Sequence, residues 1–297
     1  MTGPNLLDVD DLTRTDLDAV LERAAALKAG ADDARLPDAT LGMLFEKPST
    51  RTRVSFEAGM TDLGGHAIFL GAEDIQLDRG EPIRDTARSL SGYVDGVMAR
   101  LFDHEQLVEF AEYADVPVIN GLTDRAHPCQ TLADLLTLRE RFGGFDADVA
   151  WVGDGNNVAQ SFAVGCALAG VDLTVATPPG YGLDDDVLDR AAAVGEAPTV
   201  THDPAAAVAG ADAVYTDVWV SMGQEDEREA KLDAFDGFRV DDDLLANAPD
   251  AVVMHCLPAH RGEEISDSVL EGERSIVFEQ AENRLHAQKG LLVELLG

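Results

Sequence analysis

Phe45-Glu46-Lys47-Pro48-Ser49-Thr50-Arg51-Thr52-Arg53-Val54-Ser55-Phe56-Glu57 links two segments of different periodicity. Before it, Thr40-Leu41-Gly42-Met43-Leu44-Phe45 is a short apolar run that reads as a buried strand. After it, Val54, Phe56, Met60 and Leu63 share one helical face, which stops at Gly64-Gly65. Ser49, Thr50 and Thr52, with the guanidiniums of Arg51 and Arg53, fall where strand turns into helix. The first N–H groups of a helix lack internal partners and sit at the positive end of its dipole. A lone hydroxyl there is usually an ordinary cap. Five polar donors so close together, in an acidic chain, point instead to a phosphate site.

Outward from this stretch the pattern alternates. Leu12, Leu17, Val20, Leu21 and Leu27 form the stripe of a helix over 10–29. Strands are expected at 66–70, 96–99 and 116–119, with helices at 83–90 and 104–113 between them. Such alternation predicts a parallel sheet covered by helices on both faces. Ligands of these sheets gather beyond the carboxyl ends of strands, where Ser49, Arg100 and Asn120 are expected to fall. A helix from about Cys129 to Phe142 ends at Gly143-Gly144, a natural hinge. Strands near 148–153, 172–176, 198–201, 212–215 and 251–254 then predict a second doubly wound α/β domain. The final helix is expected over 281–296, carrying Leu285, Leu292, Val293 and Leu296. Asp184 to Asp186 and Asp241 to Asp243 read as helix-start acids on a solvated face.

At 297 residues the chain is long enough for about two domains, each with a core. Hydrophobic residues make up 45%, too many for a disordered acidic chain. The formal net charge of −34 repels nucleic acid and anionic lipid, so neither is an expected partner. Self-repulsion of this size is relieved by screening, which predicts a protein suited to concentrated salt. Cys129, Cys166 and Cys256 are odd in number and lack metal-ligand spacing, so free thiols in a reducing compartment are expected. The first residues show no charged and apolar leader and no run long enough to span a membrane; a soluble, cytoplasmic protein is expected.

Four further clusters carry chemistry. His127-Pro128-Cys129-Gln130 precedes the long helix, so imidazole and carboxamide are expected on a proline-stiffened loop. Asp154-Gly155-Asn156-Asn157 lies at a strand-to-helix turn; alone it suggests a nucleotide site, but the later glycines of a dinucleotide fingerprint are missing. Asp217 stands four residues before Ser221-Met222-Gly223, after a strand. His255-Cys256-Leu257-Pro258 ends the apolar run Ala251 to Met254.

Taken in order, these motifs resemble the aspartate/ornithine carbamoyltransferase family nearly from end to end. The resemblance covers F-x-x-x-S-T-R-T-R-x-S-F-E at 45–57, Gln76 with R-G-E-P-I at 79–83, and Arg100. It continues through H-P-C-Q at 127–130, D-G-N-N at 154–157, D-x-x-x-S-M-G at 217–223, H-C-L-P at 255–258, and Arg284 before the last helix. The last two motifs place it on the ornithine side of the family. It implies transfer of a carbamoyl group from carbamoyl phosphate to L-ornithine, with no metal and no organic cofactor. The implied fold is two doubly wound parallel-sheet domains joined by a long helix. Residues 1–136 would bind carbamoyl phosphate and 137–280 ornithine, with a C-terminal helix at about 281–297 packing back on the first domain.

The chemistry that the resemblance implies agrees with the residue types. A dianionic phosphate needs fixed donors, which Ser49, Thr50, Arg51, Thr52 and Arg100 supply, with Gln76 reaching in from a neighbouring subunit. The carbonyl oxygen gains charge on attack, so Thr52, Arg100 and His127 would face it. Gln130 and the Leu257 backbone would hold the carbamoyl nitrogen, and Arg284 would add a further contact. Asp217 would pair with the α-ammonium of ornithine, with Asn157, Ser221 and the Met222 backbone at its other polar ends. The attacking amine must be neutral although an alkylammonium has a pKa near ~10.4. Cys256, near positive groups and assisted by Asp217, would lower that barrier. Arg100, His127, Asp217 and Cys256 are thus the catalytic candidates, and Cys256 also touches carbamoyl phosphate. The family assembles as trimers with shared sites, so a homotrimer or a multiple of trimers is implied.

Three other readings compete. A sibling transferase could use aspartate, putrescine or an acylated ornithine; aspartate would need cations where this chain has Asp217 and Ser221-Met222. A nucleotide-binding oxidoreductase would rest on the 148–158 turn, whose glycine pattern is incomplete. A non-catalytic relative would not need the full set of site residues.

Overall fold

The computed structural model describes residues 3–77, 80–221, 223 and 225–297. Arg79 and Met222, both named above, lie outside the described residues. The chain divides into two compact units: 3–136 with 282–297, and 137–281. The division falls within two helices, α5 and α12, described below.

Unit 1 runs through helix α1 (Arg14–Lys28), strand β1 (Thr40–Phe45), α2 (Thr50–Asp62), β2 (His66–Gly71), α3 (Ile83–Ser91), β3 (Gly96–Arg100), α4 (His104–Tyr113), β4 (Val118–Leu122) and the start of α5 (Pro128–Phe142). The strands form a wholly parallel sheet in the order β2-β1-β3-β4. The order reverses between β1 and β3, where Phe45 and Arg100 are register partners at the carboxyl ends. That switch point is where such sheets open a crevice. Leu44, Val97, Ala99, Leu107, Phe110 and Val118 fill the core beneath it.

Several boundaries differ from the sequence reading. Helix α1 starts late because Thr13 and Asp16 form a capping box; residues 9–11 make a separate short 3-10 turn capped by Asp8. Strand β4 starts at Val118 rather than Val116, since Pro117 has no N–H for the ladder and only its carbonyl accepts, from Val97. Asn120 is therefore inside the strand, fully buried and donating to the Leu7 carbonyl, and not at the strand's carboxyl end.

Unit 2 contains β5 (Asp148–Val152), α6 (Asn157–Ala169), β6 (Asp172–Ala176), α7 (Asp185–Val194), β7 (Thr199–Thr201), α8 (Pro204–Val208), β8 (Ala213–Thr216), α9 (Arg228–Ala234), α10 (Asp242–Leu245), β9 (Val252–His255), α11 (Asp267–Leu270) and the start of α12 (Val277–Leu296). Its parallel sheet has the order β7-β6-β5-β8-β9 and reverses between β5 and β8. Trp151, Phe162 and Tyr215 interlock edge to face on one side of it. Of the expected helix-start acids, Asp184 and the half-buried Asp241 are the N-caps of α7 and α10, and the two that follow each are exposed in the first turns.

Residues 282–296 of α12, with Gly297 after it, belong to unit 1. They are tied there by Lys28 to Asn283, Arg23 to Glu294 and Lys289 to Asp62. Both units are thus doubly wound parallel-sheet α/β structures, and the C-terminal helix returns to the first.

Candidate active site

The β1–α2 turn lies beside Arg100, because Glu46 N–H donates to the Arg100 carbonyl at 2.9 Å. Ser49 is the N-cap of α2: its hydroxyl accepts from Thr52 N–H and donates to Thr52 Oγ1 at 3.1 Å. Thr52 and Arg100 are buried, whereas Thr50 and Arg51 are exposed in the first turn. Arg53 points elsewhere, pairing with Glu57 at 3.0 Å and lying over the Phe69 ring. Lys47, in the same turn, is buried against the face of Phe102. Burial, then the charge of Arg100, lowers its ammonium pKa. Sequence reasoning had passed over this third cation.

Arg284 collects the rest of the unit 1 constellation. Its Nη1 donates to Gln130 Oε1 at 2.6 Å and stands 3.1 Å from His127 Nε2; its Nη2 donates to Thr52 Oγ1 at 3.3 Å. Gln288, oriented with its oxygen toward the guanidinium, accepts from Nε and donates to Ser55. Arg284 lies inside α12, as the helix expected over 281–296 implies and not in a segment before it. Gln130 likewise sits in the first turn of α5, which Pro128 opens, rather than on a loop. Its Nε2 donates to the wholly buried Asp134 at 2.8 Å, so the carboxamide is held from both ends. The i, i+4 spacing on a helix could have pointed to Asp134.

The same contacts set the state of His127. A guanidinium only donates, so Nε2 must accept and the single ring proton sits on Nδ1. Burial first, then Arg284 and Arg100, holds the imidazole pKa well below its ordinary value. Cys129 beside it is wholly buried, donates to the Asn120 carbonyl, and is pushed by burial up to about 12.

In unit 2 the turn after β5 and the loop after β8 flank the switch point. Asn156 caps α6, its Oδ1 accepting from Val158 and Ala159 N–H, and its Nδ2 donates to Asp217 Oδ2 at 2.9 Å. Cys256 Sγ donates to the other oxygen of Asp217 at 3.0 Å. The thiol thus faces a carboxylate, a neighbour that disfavours the thiolate. Gly155 has a packing reason: a Cβ there would stand 2.3 Å from the Gly182 carbonyl oxygen. That close approach accounts for the glycine without a nucleotide. Asn157 opens α6 and Ser221 follows β8, both half-buried.

His255 organises the turn that follows β9. Its Nδ1 accepts from Leu257 N–H at 2.8 Å, which leaves the proton on Nε2 to be donated to the buried Glu264 at 3.0 Å. Leu257 is held at φ 58°, a left-handed conformation unusual for leucine. Glu264 was not legible as part of this motif. Asp217, His255 and Cys256 bring potential metal-donor atoms within 4.8 Å, as do His260, Glu263 and Glu264. The His255 nitrogens, Asp217 and Cys256 are all already engaged in the hydrogen bonds given above.

Of the sequence-predicted residues, Ser49, Thr52, Arg100, His127, Gln130 and Arg284 come together in unit 1, with Thr50 and Arg51 at its rim. Gln76 is exposed on a loop of that unit, and residues 80–82 lead into α3, with Glu81 accepting from Thr86 Oγ1. Asp217 and Cys256 come together in unit 2, with Leu257 adjoining. Among the described residues no helix is long and apolar enough to cross a membrane.

Residues 4–140 match the family model for the aspartate/ornithine carbamoyltransferase carbamoyl-P binding domain, and 146–295 that for the Asp/Orn binding domain. The chain is 68% identical, over 98% of its length and 97% of the relative's, to an ornithine carbamoyltransferase of Haloquadratum walsbyi. It is similar to the solved ornithine carbamoyltransferase of Pyrococcus furiosus (TM-score 0.94, 50% identity, 99% and 97% of the two chains). It is also similar to that of Thermus thermophilus (TM-score 0.91, 46% identity, 100% of both). With both halves matched and a two-domain fold of the same kind, the chain belongs to the aspartate/ornithine carbamoyltransferase family.

Proposed function

We propose that this chain is a transferase that moves the carbamoyl group of carbamoyl phosphate to the δ-amine of L-ornithine, giving L-citrulline and phosphate within arginine metabolism. The observation that carries the choice of acceptor is Asp217, a buried carboxylate with one oxygen on Asn156 and the other on Cys256. An ammonium suits that site, whereas aspartate would bring further carboxylates against it. Residues 1–136 with the C-terminal helix serve carbamoyl phosphate and 137–280 serve ornithine, with Asn157, Ser221 and Met222 at its polar ends.

Ser49, Thr50, Arg51, Thr52 and Arg100 offer donors to the phosphate oxygens, and Arg284 adds charge. As the neutral δ-amine attacks the carbonyl carbon, the oxygen gains negative charge, and Thr52, Arg100 and neutral His127 stabilise it. The bond between that carbon and the bridging phosphate oxygen then breaks, and phosphate leaves. Gln130 and the Leu257 carbonyl hold the carbamoyl nitrogen. The amine proton passes to the Cys256–Asp217 pair or to the departing phosphate. These steps need only positioning and electrostatics from the chain.

The exposed placement of Gln76 supports a homotrimer, or a multiple of trimers, in which this residue serves a neighbour's site. Three free thiols support a cytoplasmic setting, and the net charge of −34 supports work in concentrated salt.

The test is citrulline formation by the purified chain in about 1 M KCl, with ornithine, N-acetylornithine, putrescine and aspartate compared. Ornithine should lead each rival in kcat/KM by at least ~100-fold, as expected where a site pairs polar groups with one substrate. Faster turnover of putrescine would overturn the choice of acceptor.

A further inference from the structure

The segment that leaves β8 at Asp217 and returns through α9 is tied at both limbs to one turn. On the outgoing limb Asp217 accepts from Asn156 Nδ2 at 2.9 Å. On the returning limb Lys231 Nζ donates to Asp154 Oδ2 at 2.6 Å. Asp154 and Asn156 are two residues apart on the β5–α6 turn. That turn is itself rigid: Trp151 Nε1 donates to the Asp154 carbonyl, Asn156 caps α6, and Gly155 lies against Gly182. Between the limbs, the Trp219 ring stacks on Phe235 at 5.2 Å and 26°.

The Lys231–Asp154 pair is unusual in this chain. Its side chains are 4% and 9% exposed, and the molecule has only four lysines. A buried ion pair is often no more stabilising than an apolar pair of the same volume, so it is poor evidence of a purely structural role. It does supply direction, because the ammonium can satisfy the carboxylate only from one place. Burial outweighs the pull of Lys231 and raises the Asp154 carboxyl pKa.

We propose that Lys231 is a positioning residue for the acceptor substrate, fixing α9 through Asp154 to the turn that orients Asp217. Asp217 and Ser221 are thereby presented in one arrangement. This rests on the reading that Asp217 receives ornithine.

Four chains decide it: wild type, K231R, K231M and D154N/K231M, each assayed for both KM values, kcat and melting temperature. In K231M and in the double variant the KM for ornithine should rise by about tenfold or more, while that for carbamoyl phosphate stays within about twofold. K231R, which keeps the cation, should recover most of the loss. The double variant separates a lost tie from a lone buried charge, and carries the comparison if K231M fails to fold. Return of the double variant to the wild-type ornithine KM would overturn the proposal, as would an unchanged KM in both.

A second measurement does not depend on turnover. In a W151F background Trp219 is the remaining tryptophan. Its quenching by acrylamide, without substrate, should increase in K231M and in the double variant. Unchanged quenching would overturn the proposal, whereas absence of citrulline formation by the wild type would overturn the functional reading alone.

Discussion

Arg284 Nη1 lies 3.1 Å from His127 Nε2, although the two residues are 157 positions apart in sequence. The contact decides which ring nitrogen carries the proton and makes the imidazole a neutral donor. Adding a proton to Nε2 would set a cation against the guanidinium, inside a buried site that also feels Arg100.

Nitrogen NMR of the imidazoles should therefore find His127 neutral at pH 6, with its proton on Nδ1. In R284Q the His127 pKa should move up toward its ordinary value near ~6.5. Linkage gives a sign as well. The unfolded chain binds a proton at this residue below about 6.5 that the folded chain refuses, so stability falls as pH drops through that range. H127Q should flatten that part of the curve; an imidazolium signal from wild-type His127 at pH 6 would sink the assignment.

Thiol chemistry should be selective. Cys129 is buried with its pKa pushed up to about 12, Cys166 is buried, and Cys256 alone is half-buried. Iodoacetamide on the native protein should modify Cys256 first and abolish turnover, as read by peptide mass spectrometry. L-norvaline with carbamoyl phosphate should slow the reaction. Modification of Cys129 ahead of Cys256 would contradict this.

H255L should destabilise unit 2 by about 3 kcal/mol, because the buried Glu264 carboxylate loses the imidazole and keeps the His260 N–H, while the Leu257 amide loses its acceptor. H255L/E264L, which removes the charge too, should regain part of that loss. Urea midpoints for the two variants check it; equal midpoints would show that the under-satisfied Glu264 carboxylate is not the cause.

The melting temperature should rise between low salt and about 1 M KCl, where the Debye length shrinks to about 3 Å and the charge of −34 is screened. A fall on adding KCl would reverse the reading of the surface.

The alternation of strands and helices, and the donor-rich turn at Ser49, were legible because both are local: period, cap and hydroxyls lie within a few residues of each other. Element edges were less so where one residue intervened, as with Pro117 in β4 and the Thr13 cap of α1. What sequence could not reveal were the buried polar ties. Lys231 and Asp154 are 77 positions apart, so no local pattern pairs them. Glu264 likewise looks like one of many acids until its side chain is found wholly buried beside His255. Gly155 was legible as special, but its cause, a close approach to Gly182, depends on the folded chain.

Unit 1 is assembled from two stretches of polypeptide separated by the whole of unit 2, and Arg284 lies in the second stretch. During synthesis the earlier stretch leaves the ribosome first and can begin to fold, as domains commonly do. Its guanidinium hub arrives only after some 145 further residues, 137–281, have been translated. A messenger cut short anywhere within unit 2 would therefore yield a product with Ser49, Arg100 and His127 but no Arg284. Such fragments would lack the guanidinium that ties Thr52, His127 and Gln130 together, so incomplete translation leaves those three side chains without their common partner.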